Sequence, residues 1–283
     1  MSALAAAPPQ TGAITPVGLR ARSRPYRAIA RATLRSVLTF RLQFALSLLG
    51  VLFQLVAMLT VWHALLSART IPGFSWPQMQ VYLLVGFSSG TLVSTLADFH
   101  ISYRIRTGQV ALDLVKPVDY QSARLAETVG SLVTELAGIC FVWGVMFAFG
   151  LRIALPPASY LLLFAVSFPL IALLKFSVIY LTGLLCFWTQ NYVGLQWARL
   201  AVTSVLSGAL VPLSLLPHWL GSAAQWLPFA GMSSTPGLIL IGDATGWYAV
   251  RLVAVQLTWA VALWLVARLA WRGALRQLTI HGG

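Results

Sequence analysis

Two ionisable side chains, Glu135 and Lys175, stand inside otherwise apolar runs. Glu135 is 11 residues past Arg124, and Lys175 is 13 residues before Trp188. At the rise of an α-helix, each sits about 16–20 Å from the inner end of its run. The two runs are consecutive and joined by a short loop, so the helices are antiparallel and the two residues match in depth. A lone lysine at mid-bilayer costs roughly 2.5–3.5 kcal/mol, and a facing carboxylate offsets that cost. The spacing predicts a buried Glu135–Lys175 ion pair. It reads first as a pin between helices and second as a proton-coupling pair.

Other chemistry is sparse. The sequence holds no G-x-x-x-x-G-K-[ST] phosphate loop, so ATP-driven work would need another chain. The six acidic residues are spread along the chain, and no metal motif or nucleophile triad is present. His100, His218 and His281 show no ligand spacing. Cys140 and Cys186 both lie in apolar runs and supply neither a disulfide framework nor a zinc set. An embedded enzyme is therefore the least supported class, and no cofactor or metal is expected on this chain.

The elements that must position these residues follow from composition. Of 283 residues, 59% are hydrophobic and 9% charged, against about 25% charged in soluble domains. This excludes an ordinary soluble domain and a disordered chain. The expected fold is an all-α polytopic membrane protein. Six runs are long enough to span: Leu42–Leu66, Met79–Ala97, Leu125–Phe149, Tyr160–Phe187, Leu195–Leu216 and Trp247–Ala267. Net charge is +13. The basic residues cluster outside the apolar runs, which argues for membrane topology and anionic lipid rather than nucleic acid. With the N-terminus inside, 15 of the 19 basic residues fall on the inner side, and the outer loops hold only Arg69 and Arg152. Both termini are expected to be cytoplasmic. Arginine supplies 17 of those 19 residues, a bias that fits a GC-rich bacterial genome; the expected location is a bacterial inner membrane.

Residues 1–24 lack the apolar core of a signal peptide and read as a disordered cytoplasmic tail. Across 25–41, Tyr26, Ile29, Ala30, Thr33, Leu34, Val37 and Phe40 recur at helical spacing opposite Arg27, Arg31 and Arg35. That pattern predicts an amphipathic helix lying in the headgroup region. Residues 42–268 form the transmembrane domain, and 269–283 a cytoplasmic tail. Gly86 and Gly90 have GxxxG spacing, with Ser89 and Ser94 adding hydroxyls. Thr203 and Ser207 give the fifth span a similar character. These serve close helix packing first and a substrate path second. Gln54 and His63 of the first span are further pathway candidates.

Two connections are informative. In the cytoplasmic segment 98–124, the second helix continues through Arg104 and Arg106 and stops at Gly108. Gln109 to Val115 form a short amphipathic helix with Val110, Leu112, Leu114 and Val115 available for burial. Pro117 ends it, and Asp119 caps the next helix. A short helix held clear of the bilayer suits docking on a soluble partner. The external segment 216–246 carries no Lys or Arg, yet holds Trp219, Trp226, Leu227, Phe229, Leu238 and Ile239. Pro217, Pro228 and Pro236 break it into pieces too short to span, which predicts re-entrant helices.

This arrangement resembles the membrane subunit of ABC exporters of the type-2 permease class across nearly the whole chain. Thr107–Tyr120, TGQVALDLVKPVDY, is similar to that family's Gly-turn and Leu-Leu-Arg-Pro stretch, with Val115 and Lys116 replacing Leu and Arg. VPLSLLP at Val211–Pro217, and Leu227–Phe229 with the later Pro236, are similar to features near the family's outer end. The resemblance implies a coupling helix at Gln109–Lys116, with Arg104, Arg106, Gly108, Gln109, Leu112, Asp113, Lys116 and Pro117 as the ATPase-coupling residues. It implies two cytoplasmic ABC ATPase subunits holding ATP and Mg, and a second six-span permease, identical or homologous. The first, second and fifth spans would line the dimer interface and substrate path. An external gate would form from Pro217, Trp226, Pro228, Phe229 and Pro236. The function implied is outward movement of an amphipathic, drug-like or lipid-linked substrate by alternating access. The alternative is a stand-alone proton-coupled transporter using Glu135 and Lys175, weakened by the lack of an evident inverted repeat.

Overall fold

The computed structural model describes residues 19–39, 41–68, 74–93, 95–151, 156–189 and 191–278. The tail through residue 18, Ser94, Arg69, Arg152 and the stretch after residue 278 lie outside the described residues. Eleven α-helices are present among the described residues: α1 Leu19–Thr39, α2 Arg41–Ala68, α3 Trp76–Thr91, α4 Thr95–Arg106, α5 Val110–Leu114, α6 Tyr120–Ala148, α7 Ala158–Leu184, α8 Tyr192–Leu206, α9 His218–Trp226, α10 Ser234–Leu240 and α11 Gly246–Leu278. Single 3-10 turns fall at Leu185–Phe187, Leu213–Leu215 and Ala230–Met232. No strand occurs among the described residues.

Four helices are long and apolar enough to cross a membrane: Leu42–Ala68, Tyr120–Ala148, Ala158–Phe187 and Gly246–Arg276. The second and fifth expected spans take a different form. The second is two helices, α3 of 16 residues and α4 of 12, with a break after Thr91. The second helix therefore does not continue unbroken from its apolar run into the 98–124 segment. The fifth ends early, because α8 has 15 residues and stops at Leu206. Gly208 follows in the left-handed region at φ +75°, and Pro212 precedes the next 3-10 turn. At both ends the expectations were too short: α1 starts at Leu19 and carries Pro25 inside it, and α11 runs on to Leu278.

The helix ends are closed by chemistry that can be read locally. Gln78 Oε1 accepts from the backbone N and Oγ of Ser75, closing the start of α3 beside Pro77. Asp119 caps α6 as expected, its carboxylate accepting from Ser122 N and Oγ. Pro236 falls in the first turn of α10, where its missing N–H costs no helical bond.

α7 is the central helix. Ile171, Leu174, Phe176 and Tyr180 are fully buried where it packs against α11, α4 and α10. α10 is itself buried between α3 and α7, while α9 exposes Trp219 and Trp226. α1 lies along α6. Ile29, Thr33, Leu34 and Val37 are half-buried, and Arg27, Arg31 and Arg35 are exposed. The crossing is tight at Gly130, where a Cβ would stand 2.3 Å from the carbonyl oxygen of Ala30. Relief requires backbone movement, so Gly130→Ala is expected to destabilise by about 1–3 kcal/mol. The measurement is the thermal unfolding midpoint in detergent; an unchanged midpoint would show that α1 does not seat on α6 in this way.

Candidate coupling site

The segment between α4 and α6 is organised around one carboxylate. α4 ends at Arg106, and Gly108 adopts φ +72°, which turns the chain at little cost. α5 follows, five residues long, and its inward face is Val110 and Asp113. Asp113 Oδ2 lies 2.7 Å from Arg104 Nη1 of α4 and 3.7 Å from Arg124 Nη2 of α6. Its other oxygen accepts from Lys116 Nζ at 2.7 Å. Arg124 Nη1 in turn lies 2.8 Å from Glu127 Oε2. Asp113 and Arg124 side chains are only 4% and 5% exposed, whereas Lys116 is 58% exposed. The Asp113–Arg104–Arg124 core is therefore the part that carries energy, and the Lys116 contact adds little.

Burial alone would raise the Asp113 pKa. The hydrogen bonds from Lys116 and Arg104 and the nearby Arg124 charge outweigh it and hold the carboxyl below its ordinary 3.8. Asp119 is lowered in the same way. Burial there is outweighed by the Ser122 bonds and the Arg268 charge.

α5 is thus tied to both flanking helices while its other face stays open. Leu112, Leu114 and Val115 are 68%, 45% and 84% exposed. Of the four apolar residues available for burial, only Val110 is buried in this chain. Arg106, Gly108, Gln109 and Pro117 are also exposed around this tip. The far border is fixed by Tyr120, whose ring stacks on Trp271 of α11 at 4.3 Å and 8°. A cavity of about 270 Å³ beside the cluster is bounded by Ile29, which places α1 next to the segment.

The remaining candidates separate into groups. Glu135 and Lys175 come to the same place, the break between α3 and α4. Glu135 Oε2 accepts from Val93 N at 2.8 Å, and Lys175 Nζ donates to the carbonyls of Ser89, Gly90 and Leu92. A Cβ at Gly86 would stand 2.8 Å from Ala209 O, in the stretch after α8 rather than on a neighbouring helix, whereas Gly90 has open space. Ser89 is buried and donates to Gly86 O. Ser207 is buried, and its carbonyl accepts from Ser234 N. Thr203 is half-buried, and Gln54 and His63 lie exposed on α2. Ser94 lies outside the described residues. In the segment 216–246, Pro228 and Pro236 are buried, Phe229 is half-buried, and Pro217 and Trp226 are exposed.

Three contributors were not singled out from sequence. Arg124 and Glu127 are an i,i+3 pair at the start of α6, a spacing that marks a helical ion pair. Gln256 is a single amide in an apolar run. It donates to Ser167 O and Gly231 O and accepts from Ser167 Oγ, joining α7, α11 and the 230–232 turn.

Replacing Asp113 by Asn removes the shared anion and leaves two guanidinium groups facing each other. The expected cost is on the order of 3 kcal/mol, seen as faster hydrogen exchange across 104–116. The same contribution is fully present above pH 3.8, the ordinary aspartate value, and is lost as pH falls through the lower folded value. Exchange in this segment that stays equally slow in the variant would remove Asp113 as the anchor.

The exposed apolar helical bundle and its pinned connecting segment agree with what comparison finds. No curated protein matches the sequence. A family model described as ABC-2 family transporter protein matches residues 49–282. The chain is thus a multi-pass membrane protein and belongs to the ABC-2 family of transporter permeases.

Proposed function

We propose that this chain is the permease subunit of an ATP-driven exporter, with α5 as the helix that receives the ATPase. The observation that carries the reading is the division of α5 between two faces. Asp113 and Val110 fix one face to the body, and the other presents Leu112, Leu114 and Val115. Exposed apolar side chains on a rigidly held helix outside the spans fit a groove on a soluble partner. The ABC-2 family implies an ABC ATPase as that partner. ATP and Mg would be held there, and this chain would contribute the moving wall rather than the hydrolytic chemistry.

In this reading the chain crosses the membrane six times with both termini cytoplasmic. α3 with α4 supplies the second crossing, and α8 with the 207–216 stretch the fifth. α9 and α10 would form an outer, partly re-entrant gate. Half-helices of this kind are tolerated at depth when protein covers their free backbone groups. Tyr82 Oη donates to Gly208 O and Trp62 Nε1 to Leu210 O, which supports burial of that stretch. α2 is scarcely buried within the chain. Its exposed face carries Gln54 and His63, as a helix would if it faced a second permease and a path between them. The cargo proposed is amphipathic or lipid-linked and moves outward across a bacterial inner membrane. The stand-alone proton-coupled reading loses ground to one feature: the three donors of Lys175 are matched by three carbonyls.

The test uses the full chain co-expressed with its cognate ABC ATPase. Leu112→Asp with Val115→Asp is expected to release the ATPase by at least roughly tenfold in affinity, since each places a charge in an apolar contact. Helical content and elution volume of the permease are expected to stay as in the wild type. Retention of the ATPase by that variant would falsify the docking role of α5.

A further inference from the structure

In an unbroken helix the amide of residue 93 donates to the carbonyl of residue 89. Here those two groups are bonded to opposite charges instead. Ser89 O accepts from Lys175 Nζ at 2.7 Å, and Val93 N donates to Glu135 Oε2 at 2.8 Å. Lys175 also takes Gly90 O at 2.8 Å and Leu92 O. The lysine and the glutamate are thus inserted into one missing hydrogen bond of the helix. Their signs suit the two ends they meet. A cation faces the carbonyl end of α3, and an anion lies before the amide end of α4. Val93, a β-branched residue, sits at φ +55°, a conformation that costs on the order of 1–3 kcal/mol unless its surroundings hold it.

Closing the helix would have three linked effects. The 93→89 bond would form, Val93 would leave the left-handed region, and Lys175 and Glu135 would release these backbone groups and become available to each other. Both arrangements leave few polar groups unmatched, which is the condition for two states of similar free energy. α4 leads directly from the break to α5 and its Asp113 anchor.

We propose that the second span is a two-state element. In its bent form Lys175 and Glu135 cap the broken backbone; in its straight form the helix is continuous and the two charges form an ion pair. Movement of α5 exchanges one form for the other. The last step rests on the coupling reading above, whereas the existence of two forms does not.

The test measures the distance between spin labels at residues 80 and 103 in a Cys140→Ser, Cys186→Ala background, in liposomes with the ATPase bound. A continuous helix separates these positions by about 34 Å along its axis, and the bent form is shorter. Two variants are expected to move the populations in opposite directions. Lys175→Met combined with Glu135→Gln strips the carbonyls of their cap without leaving an unpaired charge, and favours the straight form. Glu135→Gln still accepts from Val93 N but cannot form the ion pair, so it favours the bent form. Shifts of roughly tenfold in population ratio are expected. Val93→Gly relieves the left-handed strain and also favours the bent form, which keeps the test decisive where Glu135→Gln impairs folding. Opposite shifts without any nucleotide response in the wild type would retain the two forms and remove their link to α5. Shifts in the same direction, or none, would overturn the proposal.

Discussion

Lipid offers no hydrogen bonds, so every backbone group that leaves a helix at membrane depth needs a partner from the protein. That constraint accounts for a set of side-chain contacts in this chain. At the α3–α4 break the partners are Lys175 and Glu135. After α8 they are Tyr82 on Gly208 O and Trp62 on Leu210 O. At the 230–232 turn Gln256 reaches Gly231 O, and at the end of α9 Trp259 Nε1 reaches Trp226 O. In each case a side chain from a helix partners a backbone group that has lost its helical bond: Glu135 accepts from an amide, and the others donate to carbonyls. The helices thus serve as scaffolding for the irregular stretches. Removing one such donor leaves a buried carbonyl unmatched as well as losing a contact.

In the segment between α4 and α6 the limiting quantity is charge rather than backbone. Asp113 is one carboxylate serving two guanidinium groups from different helices. Glu127 supplies the second negative charge that keeps the buried Arg124 tolerable. The arrangement orients α5 without burying its apolar side. Its own burial is too slight to hold it in place, because Val110 is its one buried apolar residue.

Much of this was legible in the sequence, for reasons that differ by region. Long apolar runs reported α2, α6, α7 and α11 because length and hydropathy are local properties. The Gly108 stop, the α5 position and the Asp119 cap were legible because each depends on two or three neighbouring residues. The break after Thr91 was not. Its local sequence has no proline, and the residues that hold it open lie 42 and 83 positions or more away. The depth match of Glu135 and Lys175 did bring the two residues to one place, but periodicity alone could not reveal that a strand of backbone lay at that place too. The early end of α8 was missed because an apolar run continues past Gly208, and composition does not distinguish helix from a buried turn. The four apolar residues of the α5 stretch gave a pattern but not its sense: three of them face outward.

The stacking of Tyr120 on Trp271 has a practical side. It joins the root of the connecting segment to the last helix about two turns before Leu278. A fluorescent or affinity fusion appended close behind that residue would therefore hang its inertia and bulk on the same joint. Reporters intended to leave the machine undisturbed belong elsewhere, or on a spacer long enough to decouple them.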